Sequence, residues 1–286
     1  MALRIDYNYQ ADFTHFNLLQ TEQNMNKALE RLATGYRINR AADDAAGLYI
    51  ADQLKTYAIS LEQATRNSQD GISVAQIAQS ALANVYNILN DIKSKAIEAA
   101  NDSQDDATRK IIQQDINKLV DVIGKIFKDT EFNGIHLFSS GTAVSFTIHY
   151  GGRTGQTLVM QGATAAASAA TDTNAPSTIT LGATAYSLDV TSQTKAEATI
   201  STVDALIKEV DKLNAKFGSY QIELEKIITN NESQRINVKE AESRIRNVDF
   251  AKEMSEFTRY QILMQSGTAM LAQANQLPQL VLQLLR

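Results

Sequence analysis

The chain has 286 residues, a net charge of −5, two prolines, no tryptophan and no cysteine. Its length allows a sizeable core in one large or two ordinary domains, and the missing cysteine excludes disulfides, thiolate metal sites and a cysteine nucleophile. Basic and acidic residues are interleaved with no basic stripe to hold phosphates, so nucleic acid is not an expected partner, and no stretch approaches the ~18 apolar residues of a membrane span, so no membrane insertion is expected.

The opening residues "MALRIDYNYQADFTHF" lack the roughly 7–15-residue apolar core of a secretory signal, so any export is expected without a cleaved one. They do supply apolar side chains: Leu3, Ile5, Phe13, Phe16, Leu18 and Leu19. From about 17 to 34 the spacing predicts an amphipathic helix with Leu18, Met25, Leu29 and Leu32 on one side, and Gly35 is a plausible left-handed stop. In "YRINRAADDAAG", Asp43 or Asp44 can cap the following helix. "NSQDGISVAQI" fails as a calcium loop because Ile77 stands where an acid is required, and Asp70-Gly71 reads as a turn plus helix start.

Strong periodicity follows. Ala75, Ala78, Leu82, Val85, Leu89, Ile92, Ala96 and Ala99 alternate steps of three and four, the seam of a coiled coil. After the polar break "NDSQDD" the spacing resumes with Ile112, Ile116, Leu119, Ile123 and Ile126. A third run from about 200 carries Val203, Leu206, Val210, Leu213, Phe217, Tyr220, Leu224 and Ile227, and continues through Asn231 and Gln234 to Val248. Polar residues at seam positions weaken a coiled coil but help to set its register. These runs predict packed rods in which Leu82, Val85, Leu89, Ile92, Ile112, Ile116, Leu119, Ile123, Leu213, Phe217 and Leu224 carry the packing.

Between the rods, "VSFTIHY-GGRTG-QTLVM" alternates at period two around glycines and predicts a β-hairpin. "GATAAASAATDTNAPS" reads as a small-residue loop, and "STITLGATAYSLDV" as one or two further strands. The expected fold is mainly α: long antiparallel helical rods and coiled-coil termini, with a small β-rich insertion on flexible tethers at the rod tip. Expected bounds are 1–40 and 251–286 for the terminal helices, 41–140 and 200–250 for the rod, and 141–199 for the insertion.

No seat for catalysis is visible. His15, His136 and His149 are far apart and none begins an HExxH, so no metal site is expected. There is no phosphate loop and no GxSxG. Asp43-Asp44 and Asp105-Asp106 stand at predicted helix starts, where acids are favoured. Neither an enzyme nor a cofactor is expected.

In the segment "ANQLPQLVLQLLR", Leu277, Leu280, Val281, Leu284 and Leu285 form one apolar helical face, extending a stretch that includes Met264, Met270 and Leu271. A short helix gains too little on its own to offset its chain entropy, so this face needs an apolar partner. Two readings are open: both apolar ends dock on their own rod, or they meet other copies in a head-to-tail contact that builds a filament.

"ERLATGYRINRAADDAAGLYIADQL" (Glu30–Leu54), "NSQDGISVAQIAQSAL" (Asn67–Leu82) and "TEFNGIHLF" (Thr130–Phe138) resemble the N-terminal region of bacterial flagellin. "AESRIRNVDFAKEMSEFTRYQIL" (Ala241–Leu263) and "AQANQLPQLVLQLLR" (Ala272–Arg286) resemble its C-terminal region. The resemblance implies a structural subunit of the flagellar filament that serves motility. The termini would form the inner coiled-coil core, the rods the next shell, and 141–199 the solvent-facing surface. It implies an extracellular location after synthesis in the cytoplasm and passage through the flagellar type III apparatus. The implied partners are further copies of the chain, an export chaperone, a cap protein and hook-associated proteins. The alternatives are a hook–filament junction protein, or an adhesin displayed through 141–199. Two departures stand out. "YNYQADFTHF" (Tyr7–Phe16) is more aromatic than the small, Asn-rich run the family leads one to expect. In the stretch through which flagellins are sensed by a Toll-like receptor, an Arg and a Leu are matched by Asp91 and Lys95, which implies weak or absent recognition.

Overall fold

The structure, a computed structural model, describes residues 8–139, 141, 144–170, 175–182 and 184–284, without the side chains of 277–284. Five helices carry most of it: α1 (Tyr9–Thr34), α2 (Ala45–Ala100), α3 (Asp106–Asp129), α4 (Gln193–Arg246) and α5 (Phe250–Leu284). Among the described residues, eight strands lie between α3 and α4: β1 (Glu131–Phe132), β2 (Ile135–His136), β3 (Phe138–Ser139), β4 (Ser145–His149), β5 (Thr157–Gln161), β6 (Ala163–Ser168), β7 (Ser177–Leu181) and β8 (Thr184–Leu188). The chain divides into two compact units, Met1–Tyr57 with Ile236–Arg286, and Ala58–Arg235. Helices α2 and α4 contribute residues to both.

Local chemistry explains where the helices begin and end. The α1 helix starts at Tyr9, eight residues before the sequence pattern becomes amphipathic, because the Asn8 side chain accepts from the Ala11 N–H. It stops where Gly35 adopts φ 75°, as the sequence suggests. Asp44 Oδ1 accepts from the Gly47 N–H at 2.9 Å at the start of α2, and Asp105 caps α3 by accepting from Thr108 at 2.7 Å. Between those helices Arg109 closes the end of α2: its Nε donates to the Ala99 carbonyl at 3.0 Å and its Nη2 to that of Asn101 at 3.2 Å. The Ala99 carbonyl is one that a helix end leaves without an internal donor.

In the unit of residues 58–235, α2 runs antiparallel to α4, with Lys93–Asp204 at 2.6 Å, and antiparallel to α3, with Lys95–Asp115 at 3.1 Å. Leu82, Val85, Leu89, Ile92, Ile112, Ile116, Ile123, Phe217 and Leu224 are buried in one continuous core, with Leu119 and Leu213 half-buried against it. The four-stranded sheet, in the order β3-β6-β7-β8 with β3 parallel to β6 and the rest antiparallel, packs on α3. Hairpin β4–β5 pairs His149 with Thr157, as its alternation predicts. A tight β1–β2 turn uses positive φ at Asn133 (50°) and Gly134 (77°).

Three expectations are corrected. Asp70-Gly71 is neither a turn nor a helix start, since α2 runs through it. A Cβ at residue 71 would stand 2.9 Å from Leu224 Cδ1 and 3.2 Å from Ile148 Cγ1, so glycine is the residue that lets α4 and β4 approach closely. Ala163–Ser168 is a strand, β6, and not a loop; its small side chains let Ala167 O come within 2.9 Å of a Cβ built on Gly124 of α3. The β segment is not a separate lobe on flexible tethers. Leu137, Phe138, Met160, Ile179, Leu181 and Leu188 belong to the same buried cluster as the helices.

Polar groups complete that joint. Gln113, fully buried on α3, accepts from the Val190 N–H at 2.7 Å and donates to the Leu188 carbonyl at 3.2 Å and to Asn117 Oδ1 at 2.8 Å. Ser177 Oγ also donates to Asn117, at 2.7 Å. The β4–β5 hairpin is fastened to both long helices: Asn67 of α2 donates to the His149 carbonyl at 3.1 Å, and Asn231 of α4 to that of Tyr150 at 2.7 Å. The polar seam position Asn231 thus satisfies a half-buried carbonyl.

Candidate assembly surface

The other unit is built differently. Among its described residues the buried apolar side chains are Ala28, Ile38, Ala51 and Ala274, and only Ile38 is larger than alanine. Its apolar groups lie on α1, α5 and the segments beside them, largely uncovered.

Helices α1 and α5 pair antiparallel, with Asn8 Nδ2 donating to the Ala274 carbonyl at 3.0 Å and Arg31 facing Glu253 at 3.5 Å. Leu18 packs at Gly267, where a Cβ would come within 2.7 Å of its Cδ1. The less exposed positions of α1 include Ala11, Thr14, Leu18, Thr21, Met25, Ala28 and Leu32; those of α5 include Glu253, Phe257, Tyr260, Met264, Gly267, Leu271 and Ala274. Both sets alternate three and four residues, the two-helix seam. Its members are small or polar at half the positions, so the seam is thin.

Large apolar groups remain outside it. Phe13 is 55% exposed, Phe16 63%, Ile262 60% and Met270 54%; Leu19, Leu29, Met254, Leu263 and Tyr9 are likewise exposed. Leu29 stands at the edge of the side occupied by Leu18, Met25 and Leu32 and stays exposed there. Leu277, Leu280, Val281 and Leu284 lie on α5 with side chains outside the described set, and Leu3, Ile5 and Leu285 fall outside the described residues. Sequence reading missed Met254, Ile262 and Leu263, since it followed only the inner seam; the second apolar spacing along 254–263 was the available signal.

The end of α1 is tied to the turn before α5. The Arg37 N–H donates to the Arg246 carbonyl at 2.7 Å and the Val248 N–H to that of Gly35 at 3.0 Å, around a Tyr36–Asn247 bridge. The Arg246 guanidinium stands 4.7 Å over the Tyr36 ring and 3.2 Å from Asp52. Asp43 holds the connecting loop by accepting from Lys27 at 2.7 Å and from the Asn39 and Arg40 N–H groups. The Lys27 ammonium, helped by those N–H groups and opposed by desolvation, lowers the Asp43 carboxyl to about 2. A lowered carboxylate pKa stabilises the fold above its unfolded value near 3.9, and the contribution disappears as pH falls through about 2. The Asp43 carboxyl carbon is thus expected to titrate near pH 2 by NMR, and Lys27→Met to raise the midpoint toward 4; an unchanged midpoint would remove Lys27 as the main cause.

His15, His136 and His149 are exposed, and no group of three or more His, Asp or Glu side chains that could hold a metal occurs among the described residues. A rod with a well-filled core in one unit, and a thin helix pair with uncovered apolar faces in the other, defines the class: a helical structural protein.

Comparison with known proteins specifies that class. Residues 5–143 match the bacterial flagellin N-terminal helical region and residues 200–285 the bacterial flagellin C-terminal helical region. The chain is similar to the flagellins of Halalkalibacterium halodurans (38% identical over 282 residues, 99% of each chain) and Bacillus subtilis (38% over 304 residues, 99% of this chain and 100% of the relative). It is also similar to the flagellar filament 33 kDa core protein of Treponema phagedenis (37% over 293 residues, 99% of each). The chain belongs to the bacterial flagellin family. It is a subunit of the extracellular flagellar filament, a structural protein and not an enzyme.

Proposed function

We propose that the chain polymerises through its α1–α5 layer. The observation that carries this reading is the unit with almost no core: Phe13, Phe16, Leu19, Ile262 and Met270 lie outside the one seam that could bury them. Exposed apolar area on this scale marks an interaction surface. Under this reading Leu3, Ile5, Phe13, Phe16, Leu18, Leu19, Met25, Leu29, Leu32, Met264, Met270, Leu271, Leu277, Leu280, Val281, Leu284 and Leu285 meet neighbouring copies or the intrachain seam. Residues 1–40 and 251–286 form the filament's inner core, 41–140 and 200–250 the shell around it, and 141–199 the outward surface. Family membership supports export through the flagellar type III apparatus, a chaperone that covers the C-terminal helix before export, and growth beneath a cap protein above hook-associated proteins.

Seeded growth followed by negative-stain microscopy tests the reading. A chain ending at Ala272 is expected to keep its helical signal while forming no filaments, and ordinary filaments from it would overturn the proposal. Asp91 is exposed and Lys95 is engaged by Asp115. This charge pattern supports weak Toll-like receptor stimulation, and full-strength signalling in reporter cells would contradict it.

A further inference from the structure

A cavity of about 630 Å³ lies where the end of α3, the β1–β2 turn, β3 and β6 meet, wholly within the 58–235 unit. Its size is that of a small-molecule site. It exists because Gly124, Gly134 and Ala165–Ala167 line it with almost no side chain. The buried Phe127 and Phe138 rings, 5.3 Å apart and tilted by 55°, give it an apolar wall. Lys128 and His136, both exposed, are the lining side chains that can carry positive charge, and none of the described lining residues is acidic. His136 stands 3.9 Å from Glu131, while Lys128 has no ion-pair partner among the described residues.

The sheet edge beside this cavity is interrupted. The Gly182 N–H donates to the Thr164 carbonyl at 2.8 Å, which makes Thr164, Ala166 and Ser168 the residues of β6 that bond toward β7. Ala165 and Ala167 therefore turn their N–H and C=O groups to the other edge. There β3 ends at Ser139, opposite Thr164, and the slanted bonds of a parallel pair carry Ser139 only to Ala163 and to the Ala165 N–H. The Ala167 carbonyl lies against α3, 2.9 Å from a Cβ built on Gly124. Between these two stops the Ala165 carbonyl and the Ala167 N–H face the cavity with no partner among the described residues, although Ala165 is only 4% exposed. Buried backbone groups are nearly always paired.

We infer that this cavity binds an N-acylated apolar amino acid with a free carboxylate. The gap along β6 is one residue long, closed by Ser139 on one side and by α3 on the other. A single residue there repeats what Ser139 does one step earlier: its N–H donates to the Ala165 carbonyl, and an oxygen of its carboxylate accepts from the Ala167 N–H. The Lys128 ammonium offsets the carboxylate charge, and the apolar side chain lies against Phe127 and Phe138. A longer peptide is disfavoured, because its preceding residues would run into β3. The site is independent of polymerisation through α1 and α5.

Calorimetric titration of the unassembled full chain with N-acetyl-phenylalanine tests the site. One saturable site with a Kd of about 1 mM or tighter is expected. Replacing the acid by N-acetyl-phenylalaninamide, or Lys128 by glutamine, is expected to weaken binding about threefold, and both changes together no more than either alone. Acetyl-Ala-Ala-Phe is expected to bind more weakly than the single residue. The chain has no natural cysteine, so Ile135→Cys capped with N-ethylmaleimide blocks this cavity alone and is expected to abolish binding. The same cap on Tyr9→Cys, on the exposed face of α1, is expected to leave it unchanged. Absence of saturation, equal binding of acid and amide, tighter binding of the tripeptide, or binding that survives the cap at 135 would each overturn the assignment. Should the capped chain misfold, the Lys128→Gln comparison, at an exposed position, decides by itself.

Discussion

Replacing Gln113 with leucine is expected to lower the stability of the 58–235 unit by about 2–6 kcal/mol, with a melting temperature at least about 4 °C lower. The side chains are similar in size, so the effect does not come from a cavity. It comes from two backbone groups left without partners: the Val190 N–H, now 2.7 Å from Gln113 Oε1, and the Leu188 carbonyl. Each orphaned buried group costs about 1–3 kcal/mol. Asn117 also loses a donor, though Ser177 Oγ still reaches it. Gln69→Leu, at an exposed position on α2, is the control, expected within about 0.5 kcal/mol of the parent. Circular dichroism melts of the three proteins compare them, and equal melting temperatures would mean that α3 does not hold the β8–α4 connection through this network.

Phe16→Ser is expected to do the reverse: leave monomer stability within about 0.5 kcal/mol of the parent and raise the critical concentration for polymerisation at least tenfold. Phe16 is 63% exposed in the single chain, so its removal empties no core. If a neighbouring copy buries it, the lost transfer free energy is about 1.5–3 kcal/mol, which corresponds to roughly a ten- to hundredfold change in association. Sedimentation of seeded reactions gives the critical concentration and a melt of the unassembled chain gives the stability. A variant that melts early and polymerises normally would place Phe16 in an intrachain core instead.

The rods were legible in the sequence because their burial pattern is periodic. Leu82, Val85, Leu89 and Ile92 repeat at spacings that only a long helix uses, and they are fully or nearly fully buried. The β4–β5 hairpin was legible for the matching reason at period two. Asp70-Gly71 and Ala163–Ser168 misled because local preference was outweighed by tertiary fit. Glycine at 71 and at 124 is chosen by how closely Leu224 and Ala167 approach, and nothing in neighbouring residues announces such an approach. The attachment of the strands to the helical core was hidden for a similar reason, since it depends on single long-range bonds such as Asn231 to Tyr150 and Gln113 to Val190. On the assembly surface, the inner seam was partly visible through Leu18, Met25 and Leu32, while the exposed apolar side chains of α5 were harder to pick out. Ile262 and Leu263 share their stretch with polar Ser255 and Thr258, which dilutes the apolar signal.

The hairpin fastened across α2 and α4 has a mechanical consequence. Asn67 and Asn231 hold consecutive carbonyls at one end of the same strand, and Gly71 lets Ile148 and Leu224 wedge between the helices. Axial slip of one long helix past the other by a single turn, about 5.4 Å, would break both bonds and drive those side chains into the opposing backbone. The hairpin therefore makes residues 58–235 resist axial slip between α2 and α4 under tension or torsion.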